Sequence, residues 1–139
     1  MNIPIDVCRY TNVNFPFPVD PPYVPYGYNE TGCYIRSFTV PTSFTNHQLR
    51  LRFEGVDSSF HVWVNGKEIG YSQGSRNPSE FDITAFVNVD GGNTLAVQVY
   101  QWSDGSYLED QVNLMPLILL STFLSSPSVL NDNLRINGG

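Results

Sequence analysis

"FHVWVNGKEIGY", residues 60–71, decides the fold. Phe60, Val62 and Val64 alternate with His61 and Trp63, the two-residue period of a strand whose faces meet different surroundings. Asn65-Gly66 comes next, and that pair suits a type I′ turn, in which both central residues need positive φ. The stretch reads as a hairpin with Phe60, Val62 and Val64 on the core side. His61, on the other face, is given a packing role, because a lone strand histidine is more often satisfied by its neighbours than used as a ligand.

Working outward from the hairpin, the same period returns. Leu49, Leu51 and Phe53 alternate with Arg50, Arg52 and Glu54; CYIRSFTV (33–40) reads as an earlier strand, and Leu95, Val97 and Val99 supply a later inward face. Between them, Pro78 to Asp82 leads into ITAFV, where Asp82 can cap a single helical turn before Asp90-Gly91-Gly92-Asn93 reverses the chain. FPFPVDPPYVPYGY (15–28) holds five prolines. Prolines lack ladder donors and fix φ, so this is an extended, ordered, aromatic loop. The apolar run from Leu114 to Leu124 contains Pro116 and is shorter than the ~20 residues of a membrane helix. It is either a core strand or a tail lacking its partners. Short strands with turns between them, and no long helical period, define an all-β class: a β-sandwich, with a jelly roll among its topologies.

A domain near 139 residues buries about 68–70% of its unfolded surface, enough for one core. With 41% hydrophobic and 14% charged residues, the chain is too apolar for disorder. Its net charge is −6 and the seven Lys and Arg are scattered, so no basic stripe attracts nucleic acid or anionic lipid. Cys8 and Cys33 read as buried free thiols, and with only His47 and His61 there is no spaced metal cluster. MNIPIDVCRY lacks the basic start and apolar run of a secretory signal, so a cytoplasmic location is expected. Asn29-Glu30-Thr31 is a formal glycosylation acceptor ascribed to chance.

"WSDGSYLEDQ" (102–111) gathers three carboxylates where charge is otherwise sparse. A glycosidase needs two carboxyl groups facing each other across a sugar. Glu109 and Asp110 are adjacent, so on extended chain they point to opposite faces and cannot flank one bond. Ser103-Asp104-Gly105 is instead assigned to a tight turn, with Asp104 accepting from local backbone N–H groups.

Four motifs in order, YTNVNFPFPVDPPYVP (10–25), TGCY (31–34), FEGVDSSFHVWVNGKEIGYSQGSRNPSEFDIT (53–84) and WSDGSYLEDQ, closely resemble the N-terminal sugar-binding domain of the family 2 β-galactosidases. The resemblance implies a jelly-roll, galactose-binding-like sandwich over residues 10–111, incomplete at both ends, with 1–9 a leader or truncated first strand and 112–139 a divergent tail. It also implies that the full-length enzyme hydrolyses terminal β-D-galactose, using glutamates on a separate barrel of about 200 residues or more that these residues do not encode. On that footing this chain holds no catalytic residue and no metal ligand, its partners are a galactoside and the barrel domain, and magnesium and sodium belong to the full-length enzyme. Asn12 matches the asparagine that contacts galactose; an amide can both donate to and accept from sugar hydroxyls. The plainer use of such a residue is an Asx-turn. Val112 stands where the family has an aspartate that binds sugar and sodium, and valine offers a hard cation no oxygen.

Three alternatives stand beside this. Trp63, Trp102 and Tyr107 could be the ring faces of a free-standing carbohydrate-binding module. Glu80, Asp82, Glu109 or Asp110 could serve a small autonomous hydrolase, if two of them converged with opposed pKa shifts. The chain could also be a fragment that only docks onto a separate catalytic chain.

Overall fold

The computed structural model describes residues 17–109 and a strand at 118–123. Seven strands are described: β1 (Thr31–Thr39), β2 (Arg50–Val56), β3 (Ser59–Val64), β4 (Lys67–Gln73), β5 (Ser79–Asp82), β6 (Gly92–Tyr100) and β7 (Ile118–Phe123). They form a four-stranded sheet in the order β1-β6-β3-β4 and a three-stranded sheet in the order β5-β2-β7. Every strand pairing is antiparallel. This is the β-sandwich the alternating pattern calls for.

The hairpin is as its turn chemistry requires: Asn65 and Gly66 have φ of 51° and 76°, and Val64 pairs with Lys67 across them. The Asn65 side chain also ties this turn to the β5–β6 connection, donating to the Phe86 carbonyl (2.7 Å) and accepting from the Thr94 N–H (2.9 Å). Further along, Val62 faces Gly70 but Trp63 faces Glu68, so Ile69 is an extra residue that bends β4.

The core lies between the sheets. Leu51 and Phe53 of β2 meet Phe60, Val62 and Val64 of β3 and Leu95, Val97 and Val99 of β6, all buried. Phe53, Phe60 and Phe81 are in mutual contact, with centroids 4.8, 5.9 and 6.0 Å apart. Phe81 lies over Gly70, where a Cβ would come within 2.8 Å of the ring; only a residue without one fits. Arg50, Arg52 and Glu54 take the water side of β2, where Arg52 pairs with Glu54 (3.0 Å) and with Glu80 (2.9 Å). These carboxylates hold the Arg52 pKa further above its ordinary value.

Two expectations change. Residues 79–82 form a strand on β2 rather than a lead-in to a helix. After that strand comes one hydrogen-bonded turn, Phe86 N–H to the Ile83 carbonyl, with Asp82 accepting from the Thr84 N–H (3.0 Å) as a cap would. Cys33 is exposed, not buried. It sits among the outward positions of β1, whose residues alternate exposed and half-buried from Thr31 onward. Cys8 lies outside the described residues. In the apolar run after Gln111, residues 118–123 are a strand, paired with β2. Among the described residues no helix is long and apolar enough to cross a membrane.

Antiparallel strands gather their connections at two ends. One of them, the arm end, collects residues 17–30, the β2–β3 corner, the β4–β5 loop and residues 101–109. The far end collects residues 40–49, the Asn65-Gly66 turn and residues 83–91.

Candidate functional site

At the arm end the proline-rich segment is fixed onto the turn after β6. Phe17, 6% exposed, places its ring edge-on to Trp102 (5.3 Å) and Tyr107 (5.6 Å). The Tyr107 hydroxyl donates to the Tyr23 carbonyl (2.5 Å) and accepts from the Asp20 N–H (3.2 Å). At the other end of the arm, Asn29 takes both backbone groups of Trp102: its Oδ1 accepts from the N–H and its Nδ2 donates to the carbonyl, each at 2.9 Å. The Gln101 N–H reaches the Glu30 carbonyl beside it. One side-chain amide thus extends the β1–β6 ladder where the strands stop. The acceptor asparagine of the glycosylation motif is therefore a structural clamp, and a glycan would replace one of the two Nδ2 hydrogens and crowd the bond to the Trp102 carbonyl.

"WSDGSYLEDQ" is the other half of this junction. Residues 104–107 make a single 3-10 turn, closed by the Ser106 N–H on the Ser103 carbonyl (3.0 Å). The Ser103 N–H in turn donates to Ser106 Oγ (3.1 Å), and Asp104 accepts from the Gly105 N–H (2.9 Å). This is the turn chemistry read from the sequence. Glu109 is not poised over a groove. Its carboxylate accepts from the backbone N–H (2.9 Å) and the hydroxyl (2.5 Å) of Ser75. Asp57 lies 3.0 Å from the same hydroxyl. Ser75 is buried, so three connections of the arm end are pinned at one residue.

The other acids are elsewhere. Glu80 faces Arg50 and Arg52 on the water side of β5 and β2. Asp82 is at the far end, where it accepts from the Gln48 amide (2.7 Å) and from Thr84; these bonds lower its pKa to about 2. A catalytic acid needs a raised pKa, so the shift has the wrong sign. Glu80 and Asp82 share the exposed face of β5 beside Arg50, Glu109 lies at the opposite end of the sandwich, and Asp110 lies outside the described residues. Nor do the three rings form one surface: Trp102 and Tyr107 pack on Phe17, whereas Trp63 is on the outer face of the four-stranded sheet. There it stacks on His61 (5.7 Å), which also meets Tyr71 and Tyr100 and contacts Glu68 at 2.8 Å. His61 has the packing role expected of it.

Asn12 and Val112 lie outside the described residues. They flank this junction in sequence, Asn12 five residues before Phe17 and Val112 three after Glu109. Among the described residues no three His, Cys, Asp or Glu side chains converge. The donor set among those residues does not fit the magnesium or sodium that the resemblance implies. Sequence reasoning missed Phe17, Asn29, Asp57 and Ser75. The signal for Asn29 was present, a lone amide two residues before the start of β1, but the glycosylation motif overlay it.

Fold and junction together define an antiparallel sandwich with an aromatic arm locked across one end and its acidic groups engaged in structural bonds. The chain belongs to the glycosyl hydrolases family 2, as its sugar binding domain: that family model matches residues 2–137, a range that includes β7. It is 54% identical over 112 residues to a β-galactosidase of Aeromonas hydrophila, covering 80% of this chain and 11% of that protein. A β-galactosidase of Yersinia enterocolitica is 53% identical over 107 residues, covering 76% and 10%. The chain thus spans about a tenth of the length of these curated relatives. Among solved structures, Bacteroides uniformis β-glucuronidase 2, covalently bound to cyclophellitol-6-carboxylate aziridine, superimposes with a TM-score of 0.51 at 36% identity, covering 53% of this chain and 9% of that one. Lactobacillus rhamnosus β-glucuronidase gives 0.51 at 34%, covering 52% and 12%.

Proposed function

We propose that this chain acts as the sugar-binding sandwich of a β-galactosidase, inert as a catalyst alone, which lends the Asn12 amide to a galactoside pocket completed by a catalytic barrel. The observation that carries this is the locked arm. Phe17 is pinned between Trp102 and Tyr107, giving the segment that leads back to Asn12 a rigid base, while the acids nearby serve as structural acceptors. Galactosides are favoured over glucuronides because identity to the two β-galactosidases exceeds one half, against about one third for the two β-glucuronidases. The magnesium and sodium of such an enzyme belong, on this reading, to its other parts. A cytoplasmic setting accords with the exposed free thiol of Cys33, which an oxidising compartment would endanger.

The test is a chimera in which residues 10–111 replace their counterpart in the Aeromonas hydrophila β-galactosidase. The chimera should hydrolyse nitrophenyl β-galactoside, and Asn12→Ala in it should lower kcat/KM by about 10- to 100-fold, the scale of one lost polar contact to substrate. The 139-residue chain alone should neither turn over substrate nor bind lactose with sub-millimolar affinity in calorimetry. Turnover by that chain would defeat the reading.

A further inference from the structure

We infer that the far end of the sandwich carries a second, weak binding site for neutral hexopyranosides, separate from the end that Asn12 would serve. A cavity of about 430 Å³ opens there between the β1–β2 and β5–β6 connections. Its lining combines apolar Phe44, Leu49, Val87 and Val89, with Leu49 buried at the base, and polar Thr45, Asn46, His47, Gln48, Asp82 and Thr84 around them. An apolar surface ringed by a few convergent polar groups is the usual make-up of a small-molecule site. It also matches a pyranose, which has one hydrophobic C–H face and a belt of hydroxyls.

The rim is held in place before any ligand arrives. Asn46 has φ of 66°, and the tight turn it completes returns the His47 N–H to the Phe44 carbonyl (3.0 Å). The His47 ring then meets the Phe44 ring edge-on at 6.0 Å, and its Nδ1 lies 3.2 Å from the Thr45 carbonyl. That contact makes Nδ1 the protonated nitrogen and leaves Nε2 as the ring's other polar atom. Gln48 donates its amide nitrogen to Asp82, which leaves the amide carbonyl as a further acceptor. The Thr84 hydroxyl takes the Leu49 N–H (2.8 Å) and fixes the rim to β2. Side chains ordered in advance cost a ligand less to engage.

Charge selects among ligands. Asp82 is ionised at any ordinary pH, so it accepts from hydroxyls and repels a carboxylate. Arg50, the nearby cation, is engaged with Glu80. A metal ion is a poor occupant, since one carboxylate over an apolar floor falls well short of six oxygens. The site rests on the proposed galactosidase role only for the choice of first probe, a galactoside.

The experiment titrates isotope-labelled 139-residue chain with methyl β-galactopyranoside while following amide chemical shifts. Saturable shifts should centre on Gln48, Thr84 and Val87, with half-saturation on the order of 1–10 mM, as an open site contacting one ring face allows. Asp82→Asn, which keeps an acceptor for the Thr84 N–H, and His47→Ala, at the rim, should each raise half-saturation at least threefold. Asn12→Ala should leave it unchanged, and glucuronate should bind at least tenfold more weakly. No shift at 100 mM sugar, shifts confined to residues 17–30 and 101–109, or equal binding of glucuronate would overturn the proposal. The first and third leave the role of Asn12 untouched, and the second supports it. Loss of turnover in Asn12→Ala chimeras bears on Asn12 alone.

Discussion

Phe17→Ala tests whether the arm is held by its ring. Phe17 is 6% exposed, and burying such a side chain is worth about 1.5–3 kcal/mol. Its two edge-on contacts, at 5.3 and 5.6 Å, add roughly 0.5–1.5 kcal/mol each. Truncation should therefore cost the arm at least about 2.5 kcal/mol, close to two powers of ten in its opening equilibrium. The cost is local, because Phe17 meets the turn after β6 and not the twelve-residue core cluster between the sheets. Native-state hydrogen exchange reads this directly. The amides of Asp20, bonded to the Tyr107 hydroxyl, and of Tyr23, bonded to the Asp20 carbonyl, should exchange about 100-fold faster in the variant. Ladder amides of Val62 and Val97 should change by less than about tenfold, as befits an independent unit. Unchanged arm amides, or core amides that accelerate in step with them, would refute the assignment of Phe17 as the arm's anchor.

Other contacts can be probed in the same way. Gly70→Ala puts a Cβ 2.8 Å from the Phe81 ring; it should destabilise by about 1–3 kcal/mol in urea unfolding, and Phe81→Leu in the same chain should recover part of the loss. Glu109→Ala strands the N–H of buried Ser75, whose hydroxyl keeps Asp57 as an acceptor, and should lower stability by about 1–3 kcal/mol; the untouched chain should release no nitrophenol from a galactoside, so no activity is there for this variant to abolish. Asp82 has its folded pKa depressed to about 2. The stability it contributes is therefore complete above about pH 4 and lost as pH falls through 2. Thermal midpoints of the wild type and Asp82→Asn should differ at pH 5 and converge by about pH 1, below both pKa values, and an undiminished gap there would refute the cause assigned to the shift.

What could be read from the residues was what local chemistry controls. Asn65-Gly66 named its own turn, and Leu51 and Phe53 declared their face because period two leaves no other choice. The strand at 79–82 was missed because Ser-Glu-Phe-Asp offers a single apolar residue after a proline, and what makes it a strand is β2 alongside. Cys33 was misjudged because apolar character says nothing of which face a side chain takes. At the arm end, the turn in "WSDGSYLEDQ" was legible, since its bonds span three residues. Asn29 and Trp102 are 73 positions apart, Ser75 and Glu109 34; no pattern within a short window encodes such meetings. The proposed role of Asn12 came from resemblance, not from periodicity.

The sheet order has a consequence for synthesis. β6 lies between β1 and β3, so β1 waits through more than fifty residues of translation before its first ladder partner leaves the ribosome. β7 joins β2 later still. Until then the nascent polypeptide owns only two-stranded pieces, the β3–β4 hairpin and the β2–β5 pair, and an isolated two-stranded piece is marginal in water. Pairings this distant in sequence make folding slow and leave sticky edges open meanwhile. A ribosome that stalls before Tyr100 releases a product with nothing to close its larger sheet, a natural client for chaperones.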